Sequence, residues 1–279
     1  MTPHSSNLEQ FLAAFHDSNP GITARAFADL AVVKAGRRFA SSYECLANEV
    51  PETEAPYTLL DLACGDGFLL SLFAARGQSN LSLIGIDLSQ GELDAAHHRL
   101  GRAATLQQGR AHALPMATAS LDHVVCHMAL MLMEEIEVVL TEVHRILKKG
   151  AVFAAVVGTR PPPSPIFDSY IALLSQYPRK EEFNGIRFGD RRLQTRDGIT
   201  KLFSNNFEVI SVQELLIQRR SSPGEMCAWF QDMYDFHMLG EVCQRELNEK
   251  FIAATEAQCD SDGKVEYSDL LYLITAAAA

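Results

Sequence analysis

The residues best suited to binding a ligand lie at 58–70 (TLLDLACGDGFLL), between two apolar runs. Asp61 ends the first run, and Ala63, Gly65 and Gly67 follow in a turn with little side-chain bulk. Glycine is favoured where φ is positive or where a ligand touches the backbone, and a helix that starts there offers unpaired N–H groups. The pattern predicts a buried strand that enters a helix through a loop able to hold a nucleoside-bearing cofactor. A plain tight turn is the alternative interpretation.

A second apolar run, LSLIGIDL at 81–88, ends in Asp87, twenty positions after Gly67. A carboxylate at that place can accept hydrogen bonds from both hydroxyls of a ribose. The third glycine of a dinucleotide-binding loop would fall at Leu70, so the sequence does not favour a pyrophosphate. Because Asp61 and Asp87 flank the loop with two negative charges, a cationic ligand is favoured. A helix N-cap is the alternative role for Asp87.

Strands are predicted near 58–63, 81–87, 104–108, 121–126 and 150–157. They alternate with helical segments, which is typical of a parallel sheet covered on both faces. Ligands in such sheets lie beyond the carboxyl ends of the strands, so Cys126, His127 and Met128 should face the same crevice as the glycine loop. His127 is a candidate general base because histidine titrates near neutral pH. A hydrogen-bonded histidine in a partly buried turn is the alternative.

The ordered motifs across residues 58–158 resemble those of the class I S-adenosylmethionine-dependent methyltransferases. The first motif of that family, D/E-x-G-x-G-x-G, stands here as DLACGDG at 61–67, with Ala63 in place of the first glycine. Further similar segments are GRAHALP at 109–115, LDHVVCHMAL at 121–130, and 134–157. The resemblance implies a Rossmann-like α/β fold, in which a seven-stranded, mostly parallel sheet carries helices on both faces. It also implies S-adenosyl-L-methionine as the cofactor.

The resemblance further implies which residues contact that cofactor. They belong to the glycine loop and to the ends of the next strands: Asp61, Ala63, Cys64, Gly65, Gly67, Asp87, Leu88, Ala111, His112, Cys126, His127 and Met128. The family usually carries an acidic residue that meets the adenine amino group at the position of Arg110. With arginine there, the backbone of Ala111 or the side chain of His112 becomes the candidate for that contact.

Four segments are predicted along the chain: a helical lid at 1–50, the cofactor-binding core at 51–158, a substrate cap at 159–200, and the C-terminal part of the core sheet with a helical segment at 201–279. In the family such a leader folds over the cofactor. This makes Arg38, Ser42 and Tyr43 candidates to hold the methionine end, and packing of an amphipathic helix on the core is the alternative.

Aromatic residues of the cap could line an acceptor pocket. Tyr170 and Tyr177 are predicted catalytic residues because an aromatic face can contact a sulfonium through a cation–π interaction. Core packing of a small helical subdomain is the alternative.

Charge and composition narrow the partners. A net charge of −11, from 24 basic and 35 acidic residues, disfavours a nucleic-acid partner. The six cysteines form no C-x-x-C pair, which predicts neither a zinc site nor a disulfide framework, and no metal is expected. No apolar stretch reaches the roughly eighteen residues of a membrane span, and the N-terminus lacks a signal pattern, so we expect no membrane association and a cytoplasmic location.

The expected function is methyl transfer from S-adenosylmethionine to a small-molecule acceptor. One alternative keeps the fold and consumes the cofactor itself: its α-amine attacks the γ-carbon, giving azetidine-2-carboxylate and methylthioadenosine. A noncatalytic, cofactor-binding regulatory protein is the second alternative, and the intact Gly65, Gly67 and Asp87 argue against it. The sequence indicates neither the acceptor nor the oligomeric state.

Overall fold

The computed structural model describes residues 6–159 and 162–279, which form two compact units. Unit 1 contains the described residues up to 159 together with 188–215 and 271–279, and unit 2 contains 162–187 and 216–270. Unit 2 therefore joins most of the predicted cap to much of the segment that we assigned to the C-terminal part of the core sheet. No helix of the described part is long and apolar enough to cross a membrane.

Nine strands form one sheet in the described part of the chain: β1 (Val32–Lys34), β2 (Arg37–Phe39), β3 (Tyr57–Leu62), β4 (Leu81–Asp87), β5 (Thr105–Gln108), β6 (Leu121–His127), β7 (Leu147–Gly158), β8 (Phe207–Ser221) and β9 (Val265–Ala278). Their order is β2-β1-β8-β9-β7-β6-β3-β4-β5. Strands β3 to β7 pair in parallel, and β9 is antiparallel to β7. The mostly parallel central sheet is thus confirmed.

The predicted count of seven strands is wrong, because part of the predicted helical leader is a β-hairpin. Strands β1 and β2 are antiparallel, with Lys34 opposite Arg37. The loop between them is Ala35-Gly36, and both residues have positive φ, 47° and 81°. Positive φ at both central positions is what a type I′ hairpin turn requires. The buried, β-branched Val32 favours a strand over a helix at this place.

Eleven α-helices complete the described chain: α1 (Asn7–Ser18), α2 (Ile22–Phe27), α3 (Ser42–Ala47), α4 (Phe68–Ala74), α5 (Gln90–Leu100), α6 (Ile136–Ile146), α7 (Pro165–Leu174), α8 (Arg196–Phe203), α9 (Pro223–Gln231), α10 (Tyr234–His237) and α11 (Glu241–Glu256). In unit 1, α4 and α5 connect β3, β4 and β5, whereas α6 connects β6 to β7. Right-handed crossovers place α4 and α5 on one face of the sheet and α6 on the other. The sheet residues between these layers are buried and apolar, Leu59, Leu60, Val124 and Val125 among them.

The strand order positions the site. From β3, the middle one of the five parallel strands, the chain moves outward to β4 and β5, and then returns to β6 on the opposite side of β3. The carboxyl ends of β3 and β6 therefore flank a topological switch point, where open α/β sheets bind their ligands. Asp61 and His127 lie at these two strand ends.

Unit 2 has a hydrophobic core of its own. Its buried residues come from α7, α9, α10, the segment just after α10, α11 and the first part of β9. They are Ile166, Tyr170, Met226, Cys227, Phe230, Phe236, Leu239, Leu247, Phe251, Val265 and Tyr267. The helical segment predicted within 201–279 thus consists mainly of α9, α10 and α11.

Candidate cofactor site

The glycine loop between β3 and α4 is a tight backbone turn. The N–H of Cys64 donates to Ile86 O at 3.0 Å, and the N–H of Gly67 donates to Cys64 O at 3.0 Å. Ala63, Gly65 and Gly67 all have positive φ, 59°, 52° and 75°. A left-handed conformation costs a residue with a Cβ atom about 1–2 kcal/mol, so Ala63 holds strain where the family motif has glycine.

The two glycines of this loop serve different purposes. A Cβ atom on Gly67 would lie 2.7 Å from Leu100 Cδ1 and 3.1 Å from Ala96 Cβ, so Gly67 is required for the approach to α5. A Cβ atom on Gly65 would meet nothing closer than Glu92 Oε2, at 3.8 Å. Of the two, Gly65 is therefore the one beside which space remains for a ligand.

Asp87 lies at the carboxyl end of β4 and is held by backbone donors. Its Oδ2 accepts from Gly65 N at 2.8 Å and its Oδ1 from Ser89 N at 2.9 Å. Each oxygen keeps a second lone pair, so the carboxylate can still accept two ribose hydroxyls. Burial raises the pKa of Asp87, and the two N–H groups oppose that rise. The alternative role as a helix N-cap is wrong, because Ser89 caps α5 by accepting from Glu92 N.

Asp61 is a buried carboxylate without a hydrogen-bond partner. It is 1% exposed, and neither of its oxygens is hydrogen-bonded within the described residues. Burial raises the pKa of Asp61 well above its usual value, and the negative charges of Asp87 and Asp66 raise it further. Leaving such a group unsatisfied costs about 1–3 kcal/mol or more. A donor or a cation on a ligand would remove this cost.

The other acidic residues near the loop have partners. Asp66 forms an ion pair with Arg99. Glu92, which is 1% exposed, lies 2.8 Å from His16 Nδ1 and accepts from Gly21 N at 2.8 Å. Asp61 thus differs from its acidic neighbours in lacking a compensating group. In the described part of the chain, no group of three or more His, Cys, Asp or Glu residues could hold a metal ion.

The leader is tied to the first turn of α5. Asp17 Oδ1 accepts from Ser89 Oγ at 2.7 Å and from Gly91 N at 2.9 Å. The hydrogen bond from Gly91 is the largest of the effects that lower the pKa of Asp17. Sequence reasoning missed Asp17, His16 and Glu92. The only signal was S-x-x-E at 89–92, which is typical of a helix start and does not indicate a leader contact.

Ser42, Tyr43 and His127 form a buried group at the end of β6. The rings of Tyr43 and His127 stack with centroids 3.6 Å apart, and Ser42 Oγ lies 2.9 Å from His127 Nε2. Burial raises the pKa of Tyr43, and the charges of Asp66 and Asp61 raise it further. The ring centroid of Tyr43 lies 4.9 Å from that of Phe68, the first residue of α4 after the glycine loop.

This environment does not support the predicted general base. Burial lowers the pKa of His127 to about 3, so its ring is neutral at physiological pH and accepts a proton poorly. The alternative, a hydrogen-bonded histidine in a partly buried turn, is closer to the observed geometry: His127 is hydrogen-bonded and buried, but it is the last residue of β6. His127 Nδ1 is buried and lacks a hydrogen-bond partner within the described residues.

Three further residues that were predicted to contact the cofactor lie in or after β6 and on β2. Cys126 lies inside β6 opposite Ala155 and is fully buried, and burial raises the pKa of its thiol to about 12. Met128, the first residue after β6, has a φ of 54°. Arg38 is exposed on the edge strand β2.

Two predicted contacts lie on the side of β5. Leu88 O accepts from Gln108 Nε2 at 3.0 Å. Beyond β5, the Nε2 atom of half-buried His112 lies 2.9 Å from Glu134 O. Ala111, which is also half-buried, lies between Arg110 and His112 in the segment that follows β5.

The predicted catalytic role of Tyr170 does not fit its position. Tyr170 is 1% exposed in the core of unit 2, where its ring centroid lies 4.5 Å from that of Phe230. Its hydroxyl donates to Phe230 O at 3.3 Å. Core packing, the alternative interpretation, accounts for this residue. Tyr177 is half-buried, with Lys250 Nζ 5.2 Å from its ring centroid, and its catalytic role stays a prediction.

Comparison with known proteins gives a consistent result. The model of a family described as a methyltransferase domain matches residues 60–155. A demethylmenaquinone methyltransferase of Symbiobacterium thermophilum is 33% identical over 108 residues, which are 37% of this chain and 43% of that protein. The chain thus spans less than half the length of this relative.

Two solved structures show the same fold at low sequence identity. The YcgJ protein of Bacillus subtilis has a TM-score of 0.56 at 18% identity, over 85% of this chain and 97% of that one. The [4+2]-cyclase SpnF has a TM-score of 0.56 at 15% identity, over 96% of this chain and 94% of that one. The match at 60–155 contains Asp61, the glycine loop, Asp87 and His127. Residues 60–155 therefore match a methyltransferase domain, and the resemblance to the class I S-adenosylmethionine-dependent methyltransferases that the sequence motifs indicate is confirmed.

Proposed function

We propose that this protein is an enzyme that transfers a methyl group from S-adenosyl-L-methionine to a small-molecule acceptor. The observation that carries the proposal is the unpartnered, buried carboxylate of Asp61 beside the open flank of Gly65 and the carboxylate of Asp87. A ligand that carries both a ribose and a positive charge complements these groups. S-adenosylmethionine is such a ligand.

The residues present fit this cofactor. Asp87 has free lone pairs for the ribose hydroxyls, and Asp61 offers its negative charge to the cationic part of the molecule. When bound, S-adenosylmethionine supplies a methyl group on a good leaving group. The task of the protein is then to align the acceptor and exclude water. The leader supports this task through two contacts with α5 and its N-cap: Asp17 accepts from Ser89 Oγ, and Gly21 N donates to Glu92.

The charge of Asp61 favours methyl transfer over cyclisation of the cofactor. Cyclisation needs a deprotonated α-amine as the nucleophile. A nearby carboxylate stabilises the protonated ammonium instead, and this form has no lone pair for the attack. The fold alone does not decide between reactions, since SpnF is described as a [4+2]-cyclase.

Product analysis tests the proposal. The protein is incubated with S-adenosylmethionine alone and with pools of small-molecule acceptors, and the products are identified by mass spectrometry. We expect S-adenosylhomocysteine and a methylated acceptor only when an acceptor is present. Methylthioadenosine without an acceptor would support the cyclase, and tight binding with no product from a broad acceptor panel would support a binding protein.

Calorimetry of variants tests the cofactor site itself. Asp87→Ala should weaken S-adenosylmethionine binding roughly tenfold or more, because each hydrogen bond to a charged group contributes about 1.5–3 kcal/mol. Asp122→Asn is the matched control. This carboxylate on β6 is already paired with Lys148, 2.6 Å away, and its loss should leave the affinity unchanged. Unchanged affinity in a folded Asp87→Ala protein would remove Asp87 from the site.

A further inference from the structure

The leader contributes a carboxylate to the segment that follows β5. Glu9, in the first turn of α1, holds the guanidinium of Arg110 through two contacts: Nη2 lies 2.7 Å from Oε2, and Nε donates to Oε1 at 3.1 Å. Both side chains are mostly buried, with exposed fractions of 12% for Glu9 and 21% for Arg110. His112 Nδ1 lies 3.5 Å from Glu9 Oε1, and Ser6 N donates to Oε2 over a long 3.4 Å.

This ion pair lies next to the strand end that carries Asp87. The N–H of Gly109 donates to Asp87 O at 2.9 Å, so the residues before Arg110 adjoin Asp87 directly. On the opposite side of Asp87 lies the glycine loop, whose Gly65 N bonds to the carboxylate. Strand β4 therefore separates the β3 side, which carries Asp61, from the β5 side, which carries Arg110 and Glu9.

The order of chemical groups in the proposed cofactor indicates which part of it lies on the β3 side and which on the β5 side. In S-adenosylmethionine the ribose lies between the adenine base and the sulfonium with its amino-acid chain. If Asp87 holds the ribose and Asp61 faces the cationic part, the base extends toward β5. This step rests on the proposed function.

The hydrogen-bonding groups on the edge of adenine then indicate what the Glu9–Arg110 ion pair can do. Adenine presents an amino donor beside ring nitrogen acceptors. Arginine has donors only, so Arg110 alone would oppose the amino group. We propose that Glu9 is a specificity-determining residue, whose carboxylate, oriented by Arg110, accepts a hydrogen bond from the 6-amino group of the base. The leader thus supplies an acceptor from outside residues 60–155.

A comparison of two ligands tests this role. S-inosylhomocysteine carries an oxygen in place of the 6-amino group of S-adenosylhomocysteine, so it offers an acceptor where adenine offers a donor. By calorimetry we expect the wild-type protein to prefer the adenosyl ligand by about tenfold or more, the factor typical of one charged hydrogen bond. In Glu9→Gln, whose amide can donate as well as accept, the preference should fall below about threefold.

Controls separate recognition from folding. Glu49→Gln removes another glutamate of the leader, which pairs with Lys34 at 2.6 Å, and it should keep the wild-type preference. Melting without ligand shows whether each variant is folded. If Glu9→Gln is unfolded, the double variant Glu9→Ala/Arg110→Ala removes the pair without leaving an unmatched charge, and it should lose the preference too.

The outcomes also separate this inference from the proposed function. A folded Glu9→Gln protein, or a folded double variant, that keeps the tenfold preference would overturn the role of Glu9 while the cofactor site stands. Equal wild-type affinity for both ligands would do the same. A wild-type protein that binds neither ligand would overturn the proposed cofactor and the role of Glu9 together.

Discussion

Replacing Asp61 with asparagine should stabilise the unliganded protein and weaken cofactor binding. Asp61 is 1% exposed and its oxygens lack hydrogen-bond partners within the described residues, so its charge is an uncompensated cost in the folded state. Asp61→Asn keeps the shape and removes the charge. Proteins retain such a costly group where function requires it, which is the basis of the trade-off between stability and activity.

The size and the pH dependence of this effect follow from the buried charge. Burial raises the pKa of Asp61, so the folded protein keeps a proton that the unfolded chain releases above about pH 4. The free energy of unfolding of the wild-type protein therefore falls as the pH rises from about 4 through the folded pKa. In Asp61→Asn the free energy of unfolding does not fall in this way, because the side chain at position 61 has no charge to bury. The advantage of this variant should be near zero at pH 4 and reach about 1–3 kcal/mol at pH 8.

Urea titrations at pH 4.5 and pH 8 measure the stability, and calorimetry measures the affinity for S-adenosylmethionine. The affinity should fall about tenfold or more, since the variant has lost its attraction for the cationic ligand. Asp122→Asn is the control, because it removes a charge that is compensated by Lys148 at 2.6 Å, and it should not stabilise the protein. A variant of Asp61 that is less stable than wild type at pH 8 and binds equally well would refute the reasoning.

Three further predictions concern the loop, the buried histidine and unit 2. Gly67→Ala should lower the free energy of unfolding by about 1–3 kcal/mol through overpacking against Leu100. Gly65→Ala should cost less stability in urea titrations and weaken cofactor binding more, and the reverse order would contradict the assignment. Because the pKa of His127 is lowered to about 3, its stabilising contribution should be complete above pH 6.5 and be lost as the pH falls toward 3. Between pH 5 and 8, the turnover of the wild-type protein and that of His127→Gln should therefore depend on pH in the same way. Tyr170→Phe should cost about 0.5–1.5 kcal/mol for the lost hydrogen bond to Phe230 and leave cofactor affinity unchanged, whereas a weakened affinity would restore a functional role for this tyrosine.

Local patterns predicted the core of the fold and the ligand loop. Strands covered on both faces need continuous apolar runs. For this reason the sequence predicted the bounds of β3, β4 and β6 to within about two residues. The glycine loop and Asp87 follow directly from these runs. The hairpin of β1 and β2 was missed because its turn, Ala35-Gly36, lacks the Asn-Gly or Asp-Gly signal that usually marks a type I′ turn.

The environments of the site residues depended on the tertiary structure. Glu9 meets Arg110 across 101 positions of sequence, and Glu92 meets Gly21 across 71, so no local pattern indicates either contact. Likewise, the type of residue at 127 indicates a group that titrates near neutral pH, while burial beside Tyr43 makes it neutral. Tyr170 could equally face a ligand or a core until the packing of unit 2 placed it inside. The sequence by itself determined the parallel strands of the core, the glycine loop and the place of Asp87 at a strand end, because these follow from short-range periodicity and backbone geometry. Only the tertiary structure decided which side chains are charged, paired or buried, because desolvation and pairing depend on neighbours that are remote in the chain.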